Sequence, residues 1–303
     1  MSEYKNITTF EEIIELSKSE ILSDEYKLNF SLAVDFSIDL INSSLQDVNQ
    51  DALAFQSKDC PDNLYMNHGE YIHKNNDGIQ NVIDELKNKN NSNRAIVSLI
   101  NQDDIVGSGD KPIPSFMILQ FSIENNSKLY VTLYFRALEV SKFLRVNIEE
   151  IRLIIENIKK ELIDIQEVFL NINAFRAYIK SDINILKRAK LDLLTSKNIF
   201  GILKKEPKEL IELLEEKKTS STIIEYKSYQ DIIEWMEDKD SADDIHKGIN
   251  KPLVKSLLNY IVNMSKEIED LRTKSSHSHD INSKQCNYKN KLDELIKELR
   301  NDN

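Results

Sequence analysis

An α+β fold is predicted, with a mixed sheet packed by helices and followed by an α-helical C-terminal region. Three observations predict it. Apolar and polar residues alternate in NFSLAVDFSIDLI and again from Val168 to Ile179; three β-rich apolar runs follow one another between Arg94 and Arg136; and after about residue 182 nearly every segment is charged and helical in period. On that change of texture the chain divides into an α+β domain of residues 1–181 and a predominantly helical region of residues 182–303.

In chain order, Thr9 to Ser23 reads as a helix, with Thr9 and Glu12 as a capping box before a stripe of Phe10, Ile13, Ile14 and Ile21. Leu28 to Leu45 reads as a half-buried strand with a bend. The polar run from Gln46 to Asn63, which holds Cys60-Pro61, reads as a loop. A second helix begins at Asp77, carries Ile79, Val82, Ile83 and Leu86 on one face, and ends in the Asn-Lys run after it. Strands are expected near 95–100, 116–123 and 129–136, the last two joined by a hairpin turn at Glu124-Asn125-Asn126-Ser127. The stripe from Ile148 to Leu162 makes Asn147 to Ile165 the strongest helix of the middle region, and Val168 to Ile179 returns to the sheet.

Beyond the boundary, helices are expected at Pro207 to Lys218, Tyr229 to Asp238, Pro252 to Lys274 and Lys289 to Arg300, with both prolines suited to a first turn. The polar stretch from Lys274 to Asn290 reads as a connector, and 252–274 could support a short coiled coil.

Composition limits the classes of function. The 303 residues are 40% hydrophobic and 30% charged, with a net charge of −11. That sign opposes nonspecific binding to nucleic acid or anionic lipid, since phosphate neutralisation supplies most of such affinity. Two cysteines far apart in sequence suggest no disulfide framework, which together with a first segment lacking a basic and an apolar signal region makes a cytoplasmic location the expectation. No apolar run reaches the length of a membrane span. His277, His279, Asp280 and Cys286 match no closed zinc spacing, so no metal and no cofactor is expected. The Gly107-Ser108-Gly109-Asp110-Lys111 loop lacks phosphate-loop spacing.

One stretch is more particular. Arg94 to Asn147 contains Asn93-Arg94 before an Ile-Val-Ser run, Pro114-Ser115-Phe116 leading to Gln120-Phe121, Phe135-Arg136-Ala137 with Glu139 two residues on, and Val146-Asn147-Ile148; farther on comes Ala174-Phe175-Arg176-Ala177-Tyr178, and upstream His68-Gly69-Glu70-Tyr71-Ile72. In order and spacing these resemble thymidylate synthase and related pyrimidine-nucleotide methylases over about residues 64 to 180. The resemblance implies a thymidylate-synthase-like sheet and a homodimer. It implies ligand-binding roles for Arg136 and for Arg94 donated by the neighbour, both toward phosphate, for Asn147 toward the pyrimidine edge and for Tyr178 toward the ribose.

The departures remove a chemistry. Ser115 stands where that family keeps its cysteine nucleophile, and Phe116 where a histidine follows it. A serine hydroxyl has a far higher pKa than a thiol and needs an adjacent base, which Phe116 cannot be. No catalytic residue is therefore assigned. The expectation is a pseudoenzyme that binds a nucleotide or nucleotide-like ligand for sensing. The alternative is a dimeric interaction subunit without ligand binding, displaying its C-terminal helices to a protein partner, in the setting of an antiviral immunity or mobile-element system.

Overall fold

Eleven of the twelve residues of β2 (Tyr26–Ser37) pair antiparallel with β7 (Glu167–Tyr178), from Tyr26 opposite Tyr178 to Ser37 opposite Glu167, and this long ladder is the spine of the first half of the molecule. The computed structural model describes residues 4–21, 26–74, 76–107, 112–180, 187–219, 223–274 and 279–301. It divides into two compact units: Met1–Pro61, Met66–Ser108 and Pro112–Ile185 form the first, and Asp62–Tyr65, Gly109–Lys111 and Leu186–Asn303 form the second.

The first unit is built on a seven-stranded mixed sheet. β1 (Lys5–Asn6) lies outside β2; beyond β7 come β5 (Lys128–Phe135), β4 (Phe116–Glu124) and β3 (Ile96–Ser98), and the two-residue β6 (Leu138–Glu139) also pairs with β7. β4 and β5 are an antiparallel hairpin. Its turn residues Asn125 and Asn126 both have positive φ, 52° and 59°. Asparagine tolerates that left-handed conformation, and two such residues give the turn whose twist matches that of the strands it joins. β5 and β7 run parallel, which demands a crossover, and α6 (Phe143–Glu161) supplies it.

Strand parity decides the two faces. Phe30, Leu32, Val34 and Phe36 on β2, Leu119 and Phe121 on β4, Leu133 and Phe135 on β5, and Leu170 and Ile172 on β7 all point to one buried face. Ile148, Ile151, Ile154, Ile155 and Ile158 of α6 are buried as well. Removing each such side chain from water contributes about 1.5–3 kcal/mol before entropy is counted. On the opposite face Ile96, Tyr134 and Phe175 are exposed, and Tyr130 stacks on Phe169 at 4.7 Å.

Around this sheet lie α1 (Glu11–Ser19), α2 (Asn49–Gln56), α3 (Gly69–Ile72), α4 (Gly78–Asn88) and α5 (Gln102–Gly107). Asp77 caps α4, accepting from the N–H groups of Ile79 and Gln80, both at 3.1 Å.

Several expectations are corrected. α1 starts at Glu11, not Thr9. Glu12 reaches back to the N–H groups of Thr8 and Thr9, each at 2.9 Å, but the Thr9 hydroxyl donates to that carboxylate, so only the glutamate half of the capping box forms. The strand from Leu28 stops at Ser37, where its hydroxyl accepts from Asp39 N–H and starts a 3-10 turn over Ile38–Asn42. The Gln46–Asn63 segment contains α2, which buries Ala52 and Phe55, a stripe too short to read as periodic. The long helix starts at Phe143, so Asn147 sits in its second turn and is no N-cap.

The second unit is helical: α7 (Lys190–Leu193), α8 (Ser196–Leu203), α9 (Lys208–Thr219), α10 (Lys227–Glu237), α11 (Lys251–Lys274) and α12 (His279–Asn301). α11 and α12 pack antiparallel, since Lys284 pairs with Glu267 while Asn250 donates to Glu298 at 3.3 Å. The coiled-coil pattern of α11 is thus met within the chain. Its buried residues, among them Leu258, Ile261 and Ile268, share a core with Tyr288, Leu292 and Leu295 of α12. The expected connector is shorter than predicted: residues 279–290 are helix, and residues 275–278, with His277, lie outside the described residues. Among the described residues, no helix is long and apolar enough to cross a membrane.

Candidate functional site

Two polar groups of the first unit meet at Phe116. The ring of Phe116 stacks on Phe135 across the β4–β5 pair, with centroids 4.5 Å apart, and meets the His68 imidazole edge-on at 5.6 Å.

The first group gathers where β4 begins and β5 ends. Arg136 N–H donates to Ser115 O at 2.9 Å, so the two residues are held side by side by the backbone. The Arg136 guanidinium donates from Nε to Pro114 O at 3.2 Å and from Nη2 to Ile113 O at 3.0 Å. Arg136 is an exposed residue, and among the described residues no carboxylate pairs with its guanidinium, which stays charged in a protein. Tyr178 belongs to the same group. Burial pushes its hydroxyl up from the ordinary tyrosine value, the Glu139 charge adds to this and Arg136 opposes it, which leaves a neutral donor and acceptor.

Glu139 holds this corner together. One carboxylate oxygen accepts from Ser141 N–H at 2.9 Å and Lys180 N–H at 3.3 Å, and the other from Lys142 N–H at 2.7 Å and Phe143 N–H at 3.0 Å. A negative charge thus sits at the N-terminus of α6 and ties it to the end of β7. The Ser115 hydroxyl is half-buried and, among the described residues, bonds no histidine or lysine.

The second group lies behind Phe116. His68 Nδ1 is 2.9 and 3.0 Å from the two carboxylate oxygens of Glu150, and the Asn147 amide donates to the same carboxylate at 3.1 Å. His68, Asn147 and Glu150 are all buried, and the Phe55 ring lies 5.2 Å from the imidazole. One residue earlier, Glu149 accepts from Leu45 N–H at 2.9 Å, the Asn49 amide at 2.7 Å and Arg152 Nε at 2.9 Å, clamping the segment before α2 onto α6.

The structure therefore brings Ser115, Arg136 and Tyr178 together and puts Asn147 on the buried Glu150. Arg94 is elsewhere. Ala95 O accepts from Phe121 N–H, six residues along β4 from Ser115, so Arg94 lies about 20 Å away within its own chain, on an exposed turn. Sequence reasoning missed Glu139, His68 and Glu150. Only Glu150 had a local signal, in α6, where two adjacent acids interrupt an isoleucine stripe. Of the Gly107–Lys111 loop, Gly107 ends α5, and residues 108–111 lie outside the described residues. Among the described residues, no group of three or more His, Cys, Asp or Glu side chains is arranged to hold a metal ion.

No curated protein matches this chain. Residues 53–179, which run from α2 through the Arg136 corner to the end of β7, match the thymidylate synthase family, and the chain thus carries a thymidylate-synthase-like domain.

Proposed function

We propose that the first unit is a catalytically degenerate thymidylate-synthase-like domain that binds a nucleotide or similar phosphate ester. One observation carries the reading. The Arg136 guanidinium is aimed by two carbonyl oxygens, is neutralised by no described carboxylate, and interacts electrostatically with the Tyr178 hydroxyl; the resemblance assigns these two positions to phosphate and sugar. The degenerate half of the reading rests on Ser115, whose hydroxyl has no described base, and on Phe116, an apolar ring in the position of the family's histidine.

Arg94, too far from Arg136 within one chain, is read as serving the pocket of a second copy, the role the resemblance implies for it. The exposed aromatic residues on the open face of the sheet support such a symmetric partner.

Calorimetric titration with pyrimidine nucleoside mono- and diphosphates tests the reading. Micromolar binding is expected, weakened about 10- to 150-fold by Arg136→Ala, as a lost charge-assisted hydrogen bond implies. Absence of binding by the whole panel, or equal affinity in the variant, overturns it. Sedimentation velocity tests the dimer, with a monomer at micromolar protein as the contrary result. A second reading, display of the helical unit to a protein partner, is favoured by the separate core of that unit.

A further inference from the structure

We infer that the helical unit carries a chemical site of its own, in which Ser228 is a nucleophile toward carboxylic esters, Lys217 its base and Asp192 the residue that orients the lysine. The three come from three helices. Asp192 is on α7, Lys217 in the last turn of α9, and Ser228 in the first turn of α10. Lys217 Nζ donates to Ser228 Oγ at 3.1 Å, the Ser228 hydroxyl donates to Asp192 Oδ1 at 2.6 Å, and Lys217 Nζ also pairs with that carboxylate oxygen. The three groups are in mutual contact, and loss of one ammonium proton turns Lys217 Nζ from donor to acceptor toward Ser228 Oγ, the relation that nucleophilic catalysis by serine requires.

The surroundings fit the chemistry. Ser228, 3% exposed, and Asp192 line a cleft of about 490 Å³ together with Arg188 and the apolar Leu194, Ile224 and Ile268, which offer an acyl-binding surface. Lys217 is 3% exposed and its ammonium lies over the Tyr229 ring at 4.4 Å. Burial pushes that ammonium below the ordinary lysine value, against the opposing charge of Asp192, and so favours the neutral amine that a base must be. The first N–H groups of α10 have no intrahelical acceptor and lie beside Ser228, where an oxyanion needs donors. A buried ion pair alone would explain Lys217 and Asp192. It does not explain a serine bonded to both at the wall of a cleft.

In the reaction, the Ser228 O–H proton passes to neutral Lys217 while Oγ bonds the acyl carbon. Collapse of the tetrahedral intermediate breaks the ester C–O bond, and Lys217 returns the proton to the departing alkoxide. Water then attacks the acyl-serine by the same route, giving the carboxylic acid and free Ser228. None of this depends on the nucleotide reading of the first unit.

The test uses the full chain and a fluorophosphonate probe, which bonds a nucleophilic serine through phosphorus and expels fluoride. Peptide mass spectrometry is expected to find the adduct on Ser228, absent in Ser228→Ala, and formed at least about 100-fold more slowly in Lys217→Arg, the loss typical of a removed general base. The wild-type rate is expected to rise with pH as Lys217 loses its proton. No adduct on Ser228, or an undiminished rate in a folded Lys217→Arg protein, overturns the proposal. Should that variant not fold, a labelling rate independent of pH in the wild type overturns it equally.

Discussion

His68 holds the Glu150 carboxylate through a single ring nitrogen, Nδ1, at 2.9 and 3.0 Å from its two oxygens, in a part of the interior where neither side chain is more than 6% exposed. Two polar groups withdrawn from water in this way depend on each other, because removing His68 leaves Glu150 only the Asn147 amide and removing Glu150 takes the carboxylate from both. Glu150→Ala is therefore expected to lower the free energy of unfolding by about 3–5 kcal/mol, and His68→Ala by a similar amount. In urea denaturation the double variant should cost clearly less than the sum of the singles, since the second change removes an already orphaned partner. Strictly additive losses would show that the two residues do not act as a unit.

How much of this corner was legible in the sequence depends on period. The strands were readable because alternation in Phe30 to Phe36 and Val168 to Tyr178 forces one face inward whatever the rest of the chain does. Helix α6 was readable from its isoleucines, but its first turn was not. That turn is capped by Glu139, four residues ahead of Phe143, and a cap supplied from a preceding strand leaves no local signature. For the same reason Asn147 looked like a cap and is a buried partner of Glu150. Pairs such as His68 with Glu150, or Lys217 with Asp192, join residues 82 and 25 positions apart, so only the fold brings them together.

Gly69 makes a sharper steric prediction. A Cβ there would lie 2.1 Å from Ser57 O and 2.3 Å from Gln56 O, both backbone atoms that cannot rotate away. His68 N–H donates to Phe55 O at 2.8 Å across the same junction, so α2 and α3 cannot separate without losing it. Gly69→Ala is expected to destabilise the first unit by about 3 kcal/mol or more, at the severe end of overpacking. A loss below about 1 kcal/mol in chemical denaturation would mean that this junction yields.

At the β4–β5 turn the constraint is conformational instead. Asn125 has φ of 52° in open surroundings, where a residue with Cβ other than asparagine or aspartate is strained by about 1 kcal/mol and glycine is not. Asn125→Ala should lower stability by about 1 kcal/mol, and Asn125→Gly should match or exceed the wild type. The order of the two variants in urea midpoint is the check, and alanine ranking above glycine would contradict the turn geometry.

The helical unit has a built-in reporter that allows a pH prediction to be read there alone. Trp235, the sole tryptophan, stacks on Phe200 at 4.3 Å and donates from Nε1 to Ser196 O at 2.9 Å, all within that unit. In the same unit Glu225 stands 3.3 Å from Arg188, yet burial, followed by the charge of Asp192, pushes its carboxyl above the ordinary value of 4.5. Folding thus takes up a proton there between the unfolded and folded values. The contribution of this group is fully present below about pH 4.5 and is lost as pH rises through the folded value, because above it the folded state must carry a charge in poorly solvated surroundings. Glu225→Gln keeps the shape and removes the titration. Its stability relative to the wild type, followed by Trp235 fluorescence in urea, should increase as pH is raised from about 4 upward and then level off. A difference that stays constant across that window would mean that Glu225 titrates as a solvated carboxylate, and that the Arg188 pair compensates its burial in full.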